Sequence, residues 1–143
     1  MIKEHRSAGG VLINQENKVY LIYKISRDEW LLPKGTIEKG EKVKDTAIRE
    51  VHEETGYTDI SLIKEDPIAT TEFSFVETDT KMTVNKYVTY FLFRLSDSAV
   101  CVETPQMVNE GLKGGWFTFE NAIKKVAFDE LKTTLSKAEI LSF

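Results

Sequence analysis

The sequence predicts an α/β fold, a mixed sheet packed between helices, and three observations carry that expectation. Residues 7–13, 18–25 and 84–95 are apolar, strand-like runs. A helical stretch covers residues 42–55 and meets Gly56, a usual helix stop. Two amphipathic pieces close the chain. Strands with helices before and after them assemble most simply as a sheet covered by helices. At 143 residues the chain fits one domain, 1–143, large enough for a core without disulfides or a structural metal.

Taken in order, residues 7–13 form a strand entered through Ser7-Ala8-Gly9-Gly10, where glycines mark either close packing or the approach of another backbone or a ligand. Gln15-Glu16-Asn17 makes a polar turn, and residues 18–25 return as the second strand of a hairpin. Arg27-Asp28-Glu29 reads as a loop, and Trp30-Leu31-Leu32-Pro33-Lys34 leads into a glycine-bearing loop over residues 35–41. Beyond the helix, residues 58–64 and 68–76 read as strands. The strongest strand is 84–95, apolar on both faces (Tyr87, Phe91, Phe93 against Val88, Tyr90, Leu92), so it belongs inside the sheet. Residues 97–110 read as loop, with room for a short strand near Val100, and Gly114-Gly115-Trp116-Phe117-Thr118 as a last short strand. Phe119, Ala122, Ile123 and Val126 make one closing helical stripe; Phe128, Leu131, Leu135 and Ala138 make the other.

The helix over 42–55 carries Glu50, Glu53 and Glu54 in its last turns, where the helix dipole disfavours negative charge. Val43, Ala47, Glu50 and Glu54 follow one i, i+4, i+7, i+11 row, with Val51 beside it. Two glutamates therefore extend the stripe that faces the core. Carboxylates there need a cation or hydrogen-bond donors. Arg49 reaches Glu53 at i+4, yet one guanidinium cannot neutralise three glutamates. A divalent metal can, and oxygen ligands favour Mg²⁺ or Mn²⁺ over zinc. The competing reading is an acidic, solvated helix face.

The spacing Gly35-x5-Glu41-x7-Arg49-Glu50-Val51-x-Glu53-Glu54-x-Gly56 resembles the signature of the Nudix hydrolases, with every charged and glycine position filled. Tyr57 stands where that family usually has an aliphatic residue, a departure that affects packing and no catalytic group. The resemblance implies an α/β/α sandwich with a mixed sheet, in agreement with the reading from periodicity. It also implies hydrolysis of a nucleoside diphosphate linked to some other group. Such a link is shielded by its own negative charge, which metal ions and a lysine offset. Carried over by position, Glu50 and Glu54 are metal ligands, and Glu53 is a ligand or the base that activates water. Arg49 orients these carboxylates, and the main-chain carbonyl of Lys34 supplies a further metal oxygen. Glu41 organises the loop.

Outside the signature, Trp30-x-x-Pro33-Lys34-Gly35, the strand around Tyr90-Phe91, Glu110 with Trp116, and Phe128-x-x-Leu131-Lys132 are similar to the diadenosine tetraphosphate hydrolases. That similarity implies an adenine held between aromatic rings, which suits Tyr90 and Phe128, although core packing explains either ring equally. Lys34 is expected to contact phosphate rather than solvent. Glu110 either contributes a ligand or base from a loop or stands by. His5 and His52 show no metal-like spacing. The expected reaction splits diadenosine tetraphosphate into ATP and AMP. The alternatives keep the chemistry but act on nucleoside triphosphates, diphosphoinositol polyphosphates or RNA 5′ ends. A non-catalytic nucleotide sensor is disfavoured, because such modules usually lose the signature glutamates that this chain keeps.

Composition agrees with a small-molecule partner. With 19 basic and 23 acidic side chains the net charge is −4, which disfavours non-specific nucleic-acid binding. No apolar run has the length of a membrane span, and Met1-Ile2-Lys3-Glu4-His5-Arg6 lacks a signal-peptide core. Cys101 is the only cysteine, so the expected compartment is the cytoplasm.

Overall fold

Alternation of side chains along the strands produces one sheet with two covered faces. The computed structural model describes residues 2–142. Its strands are β1 (Ile2–Ile13), β2 (Val19–Lys24), β3 (Glu29–Leu31), β4 (Lys34–Thr36), β5 (Ile60–Leu62), β6 (Ala69–Val76), β7 (Thr83–Leu95) and β8 (Leu112–Phe117). Its α-helices are α1 (Val43–Thr55), α2 (Pro105–Glu110), α3 (Phe119–Lys125) and α4 (Asp129–Ser142). The sheet path is β3-β2-β1-β7-β5, with β4 joined to β1, β6 to β7 and β8 to β2. β1 and β7 run parallel, from Ile2 opposite Thr83 to Ile13 opposite Arg94. The remaining strand pairs are antiparallel. This is the expected mixed sheet, and β7 lies within it, as its two apolar faces require.

Val11, Ile13, Val19, Leu21, Val88, Tyr90 and Leu92 belong to the core that α3 and α4 close with Phe119, Ala122, Leu131 and Leu135. The alternate residues Ala8, Leu12, Tyr20, Ile22, Phe91 and Phe93 meet Ala47 and Val51 of α1 in the second core. Full burial of a side chain such as Val51 contributes about 1.5–3 kcal/mol, so α1 is held by packing as well as by its own hydrogen bonds. Gly56 ends it at φ 79°, in the left-handed region. No helix among the described residues is long and apolar enough to cross a membrane.

Several elements differ from the expectation. β1 begins at Ile2 rather than residue 7, because β7 offers it a partner as far as Thr83. The strand expected over 58–64 is confined to β5. The stretch 97–110 contains no strand near Val100 and ends in α2. Thr104 caps that helix by accepting from the Met107 N–H, Pro105 opens it, and Gly111 closes it. Val43, placed by the wheel on the core-facing row, is exposed at the first turn of α1, whereas Ala47 is buried. The glycines of β1 do serve a close approach. A side chain at Gly9 would fall on the Pro33 carbonyl oxygen, which accepts from the Gly10 N–H at 3.1 Å.

Candidate active site

The site begins with the stripe of α1 that faces the sheet. Glu50 is 5% exposed and Glu54 8% exposed, so both carboxylates lie where the wheel placed them. The Lys34 N–H, on β4, donates to Glu54 Oε1 at 2.9 Å. Gln106 Nε2, on α2, lies 3.2 Å from Glu50 Oε2 and 3.2 Å from Glu54 Oε2, donating to both. Strand, helix and short helix thus converge on two acids. Gly35 leaves room at this point, since a Cβ there would fall on the Glu50 carboxylate and displace it.

Arg49 holds the outer side. Its Nη1 donates to Glu50 Oε1 at 2.7 Å and to Glu53 Oε2 at 3.3 Å. Nε and Nη2 form a two-pronged contact with Glu41 at 2.8 and 2.9 Å, and Nη2 also reaches the Thr36 carbonyl at 3.2 Å. Glu41 further accepts from the Thr46 hydroxyl at 2.6 Å and from the Glu38 N–H at 3.2 Å. Paired prongs of this kind fix direction as well as charge. The loop is therefore tied to α1 through one guanidinium.

These contacts set the charges apart. Arg49 and the Thr46 hydroxyl hold the Glu41 carboxyl down at about 2. Glu41 in turn raises the Arg49 guanidinium, with Glu50 adding to the effect. Burial pushes Glu50 up against the hydrogen bonds from Gln106 and Arg49. Burial pushes Glu54 up to about 8, opposed by the Lys34 N–H and reinforced by the charges of Glu110 and Glu50. A cation between the two buried acids would reverse both shifts. Among the described residues no three His, Cys, Asp or Glu side chains already surround a common metal position. The donors available are nonetheless carboxylate oxygens, with the Lys34 backbone beside them, and these suit a hard divalent ion.

Two cavities meet here. One of about 300 Å³ is lined by Glu50, Glu54, Glu110 and Gln106 together with Lys34 and Lys86. The other, of about 360 Å³, is lined by Phe73, Val88, Tyr90 and Phe128, and it shares Lys34 and Lys86 with the first. Two lysines therefore stand between an acidic and an apolar compartment. Burial, then the positive charges of Lys34, Arg27 and Lys24, bring the Lys86 ammonium down to about 8.

The structure brings Lys34, Glu50, Glu54 and Glu110 to one cavity. Arg49 and Glu53 line an adjoining cleft of about 650 Å³ that Glu50 and Glu110 also border. Glu110 sits at the end of α2 rather than on a loop. Tyr90 is 1% exposed and packed in the core, so its ring offers a base little more than part of the cavity floor. The exposed rings that line the apolar cavity are Phe128, at 42%, and Phe73, at 40%. His5 and His52 do not line the acidic cavity.

Sequence reasoning missed Gln106, Lys86 and Phe73. The Thr104-Pro105 cap signalled the helix that carries Gln106. Lys86 interrupts the inward run Val84, Val88, Tyr90, Leu92 of β7, the same signal that singled out the glutamates on α1.

The NUDIX domain profile matches residues 3–137. The chain belongs to the NUDIX family. As a NUDIX protein it is 39% identical over 69 residues to the RNA pyrophosphohydrolase of Bartonella quintana, across 42% of this chain and 40% of that protein. Its fold matches the crystal structure of the Caenorhabditis elegans (C. elegans) Ap4A hydrolase with a TM-score of 0.72, 23% identity and 100% of both chains covered. It also matches the Escherichia coli (E. coli) dihydroneopterin triphosphate pyrophosphohydrolase, with a TM-score of 0.69, 19% identity and 94% of each chain covered. The two structural matches show a shared fold, and the alignment with the B. quintana relative spans less than half of that relative's length.

Proposed function

We propose that this NUDIX protein hydrolyses a diphosphate link in a nucleoside polyphosphate, with diadenosine tetraphosphate cut asymmetrically to ATP and AMP as the preferred reaction. One observation carries the reading. The buried Glu50–Glu54 pair opens past Lys34 and Lys86 into an apolar cavity, a sequence of environments that matches cleaved link, phosphates and base. Glu50, Glu54 and the Lys34 carbonyl would hold Mg²⁺ or Mn²⁺, which would supply charge neutralisation for the diphosphate and Lewis-acid assistance to its hydrolysis.

The chain's own groups do the rest. Arg49 keeps Glu50 and Glu53 oriented. Water adds to one phosphorus as its bond to the bridging oxygen breaks, and the departing phosphate takes that bond pair. Glu53 and Glu110, two of the further carboxylates beside the pair, are the candidates to accept the water's proton. Lys34 offsets charge on the phosphates, and phosphates beyond the cut hold the substrate in register.

The fold likeness to the C. elegans enzyme is compatible with this reading, and the short sequence match to an RNA pyrophosphohydrolase favours RNA 5′ ends as the comparison substrate. The test offers equal concentrations of diadenosine polyphosphates, nucleoside triphosphates, diphosphoinositol phosphates and triphosphorylated RNA, with products identified by chromatography. ATP and AMP in equal amounts are expected to dominate; a preference for another class overturns the substrate. Glu54→Gln is expected to lose about 10²–10³-fold or more in kcat while remaining folded, and full activity in a chelator would overturn the metal-dependent mechanism.

A further inference from the structure

We propose that Gln106 fills the metal position of the metal-free protein and turns away when an ion enters, so that this side chain sets how tightly the site takes Mg²⁺ or Mn²⁺. The proposal rests on the reading above that Glu50 and Glu54 hold the ion. It adds a residue from outside the stretch between Gly35 and Tyr57, one that competes with the ion for the same two carboxylates.

Each oxygen of the two buried acids accepts from one donor. Glu50 Oε1 accepts from Arg49 Nη1 at 2.7 Å, and Glu54 Oε1 accepts from the Lys34 N–H at 2.9 Å. The two Oε2 atoms share a donor, since Gln106 Nε2 lies 3.2 Å from both. Arg49 bonds only the first acid and the Lys34 N–H only the second, so among the described residues Gln106 alone joins the pair. Its amide nitrogen carries two hydrogens, and one is directed to each carboxylate. Two acids at 5% and 8% exposure repel each other unless a positive or hydrogen-donating group lies between them. The Gln106 amide is that group, a neutral stand-in for a shared cation.

The same hydrogen bonds are incompatible with an ion shared by both Oε2 atoms. Oxygen ligands approach Mg²⁺ to about 2.0–2.1 Å, nearer than Nε2 stands to either acid, so ion and amide cannot both fill the gap. The N–H groups aimed at those oxygens would also face the cation, and like charges repel. The side chain, rather than the helix, is free to give way. α2 is fastened at its start, where Thr104 accepts from the Met107 N–H and donates to the Glu53 carbonyl, and Met107 is buried. Gln106 is half-buried and borders both the acidic cavity and the cleft of about 650 Å³ beside Arg49 and Glu53. Rotation of its side chain carries the amide from the first space into the second. Two hydrogen bonds to carboxylate oxygens are given up in that step, which lowers the affinity for the ion by the same amount.

The test is Mn²⁺ binding to the full, chelator-treated chain by calorimetry, together with thermal melting in the absence and presence of Mn²⁺. Gln106→Leu keeps the bulk and removes the donors, and Gln106→Ala removes both. Either change destabilises only the form in which Gln106 bridges the acids, so each variant is expected to bind Mn²⁺ about 5- to 100-fold more tightly than wild type. Without the ion both variants are expected to melt below wild type, and at saturating Mn²⁺ that gap is expected to close. Equal or weaker Mn²⁺ binding in the two variants would overturn the proposal, the weaker case making the amide oxygen a ligand instead. Glu54→Gln separates this failure from that of the metal reading. Mn²⁺ binding that is lost in Glu54→Gln but unchanged on removal of Gln106 leaves the metal site standing and overturns only the role of Gln106. A wild-type chain that binds no Mn²⁺ overturns both.

Discussion

Glu41 shows how a residue remote from the buried acids still governs them. Its carboxyl is held at about 2 by Arg49, well below its ordinary value near 4.5. A depressed carboxyl adds stability that is present above about 4.5 and is lost as pH falls toward 2. Wild type and Glu41→Gln are therefore expected to differ in melting temperature at neutral pH and to converge on acidification. A gap that persists at pH 2 would count against the contact. The variant also loosens the Nε and Nη2 contacts that hold the Arg49 guanidinium, whose Nη1 donates to Glu50, so kcat is expected to fall even where the fold is intact. At this scale the sequence was informative where chemistry and periodicity disagreed. Glu50 and Glu54 stood out because they occupied an apolar stripe, and Lys86 broke its strand in the same manner. Phe73 carried no such conflict, since a phenylalanine in a strand reads as ordinary core. Its exposure comes from the surrounding structure, because α4 packs over Val88 and Tyr90 and leaves the ring outside the core.

Among elements, α1 was legible and α2 was not, for a physical reason. Thirteen residues with a buried face and a glycine stop declare themselves, whereas Pro105-Gln106-Met107-Val108-Asn109-Glu110 is too short for a periodic stripe. What makes α2 a helix is its cap. Thr104 accepts from the Met107 N–H at 3.2 Å, and its hydroxyl also donates to the Glu53 carbonyl of α1. Thr104→Ala is expected to cost about 1 kcal/mol, read as a lowered melting temperature, with kcat reduced because Gln106 and Glu110 ride on this helix. A fall in stability without any change in kcat would separate α2 from the chemistry. β3 and β4 escaped notice in the same way. Each has three residues, and each is a strand because β2 or β1 offers it an edge.

For the whole molecule, the fold class followed from hydrophobic pattern, while the joining of the two cavities depended on which strands lie side by side. That adjacency has a kinetic side. β1 and β7, the two longest strands, pair in parallel from Ile2 with Thr83 to Ile13 with Arg94, and every residue of α1 lies in the chain between them. Closing so large a loop costs entropy before any contact repays it, so the chain is expected to fold slowly for its size. The glutamate-bearing helix leans on Ala8, Leu12, Phe91 and Phe93, half of them supplied only when β7 arrives. A peptide spanning Gly35 to Tyr57 should accordingly be largely unstructured by circular dichroism and show no tight Mn²⁺ binding. Metal capacity, on this account, is acquired at the end of folding, and a ribosome that has released only the first half of the chain holds a motif that is chemically mute.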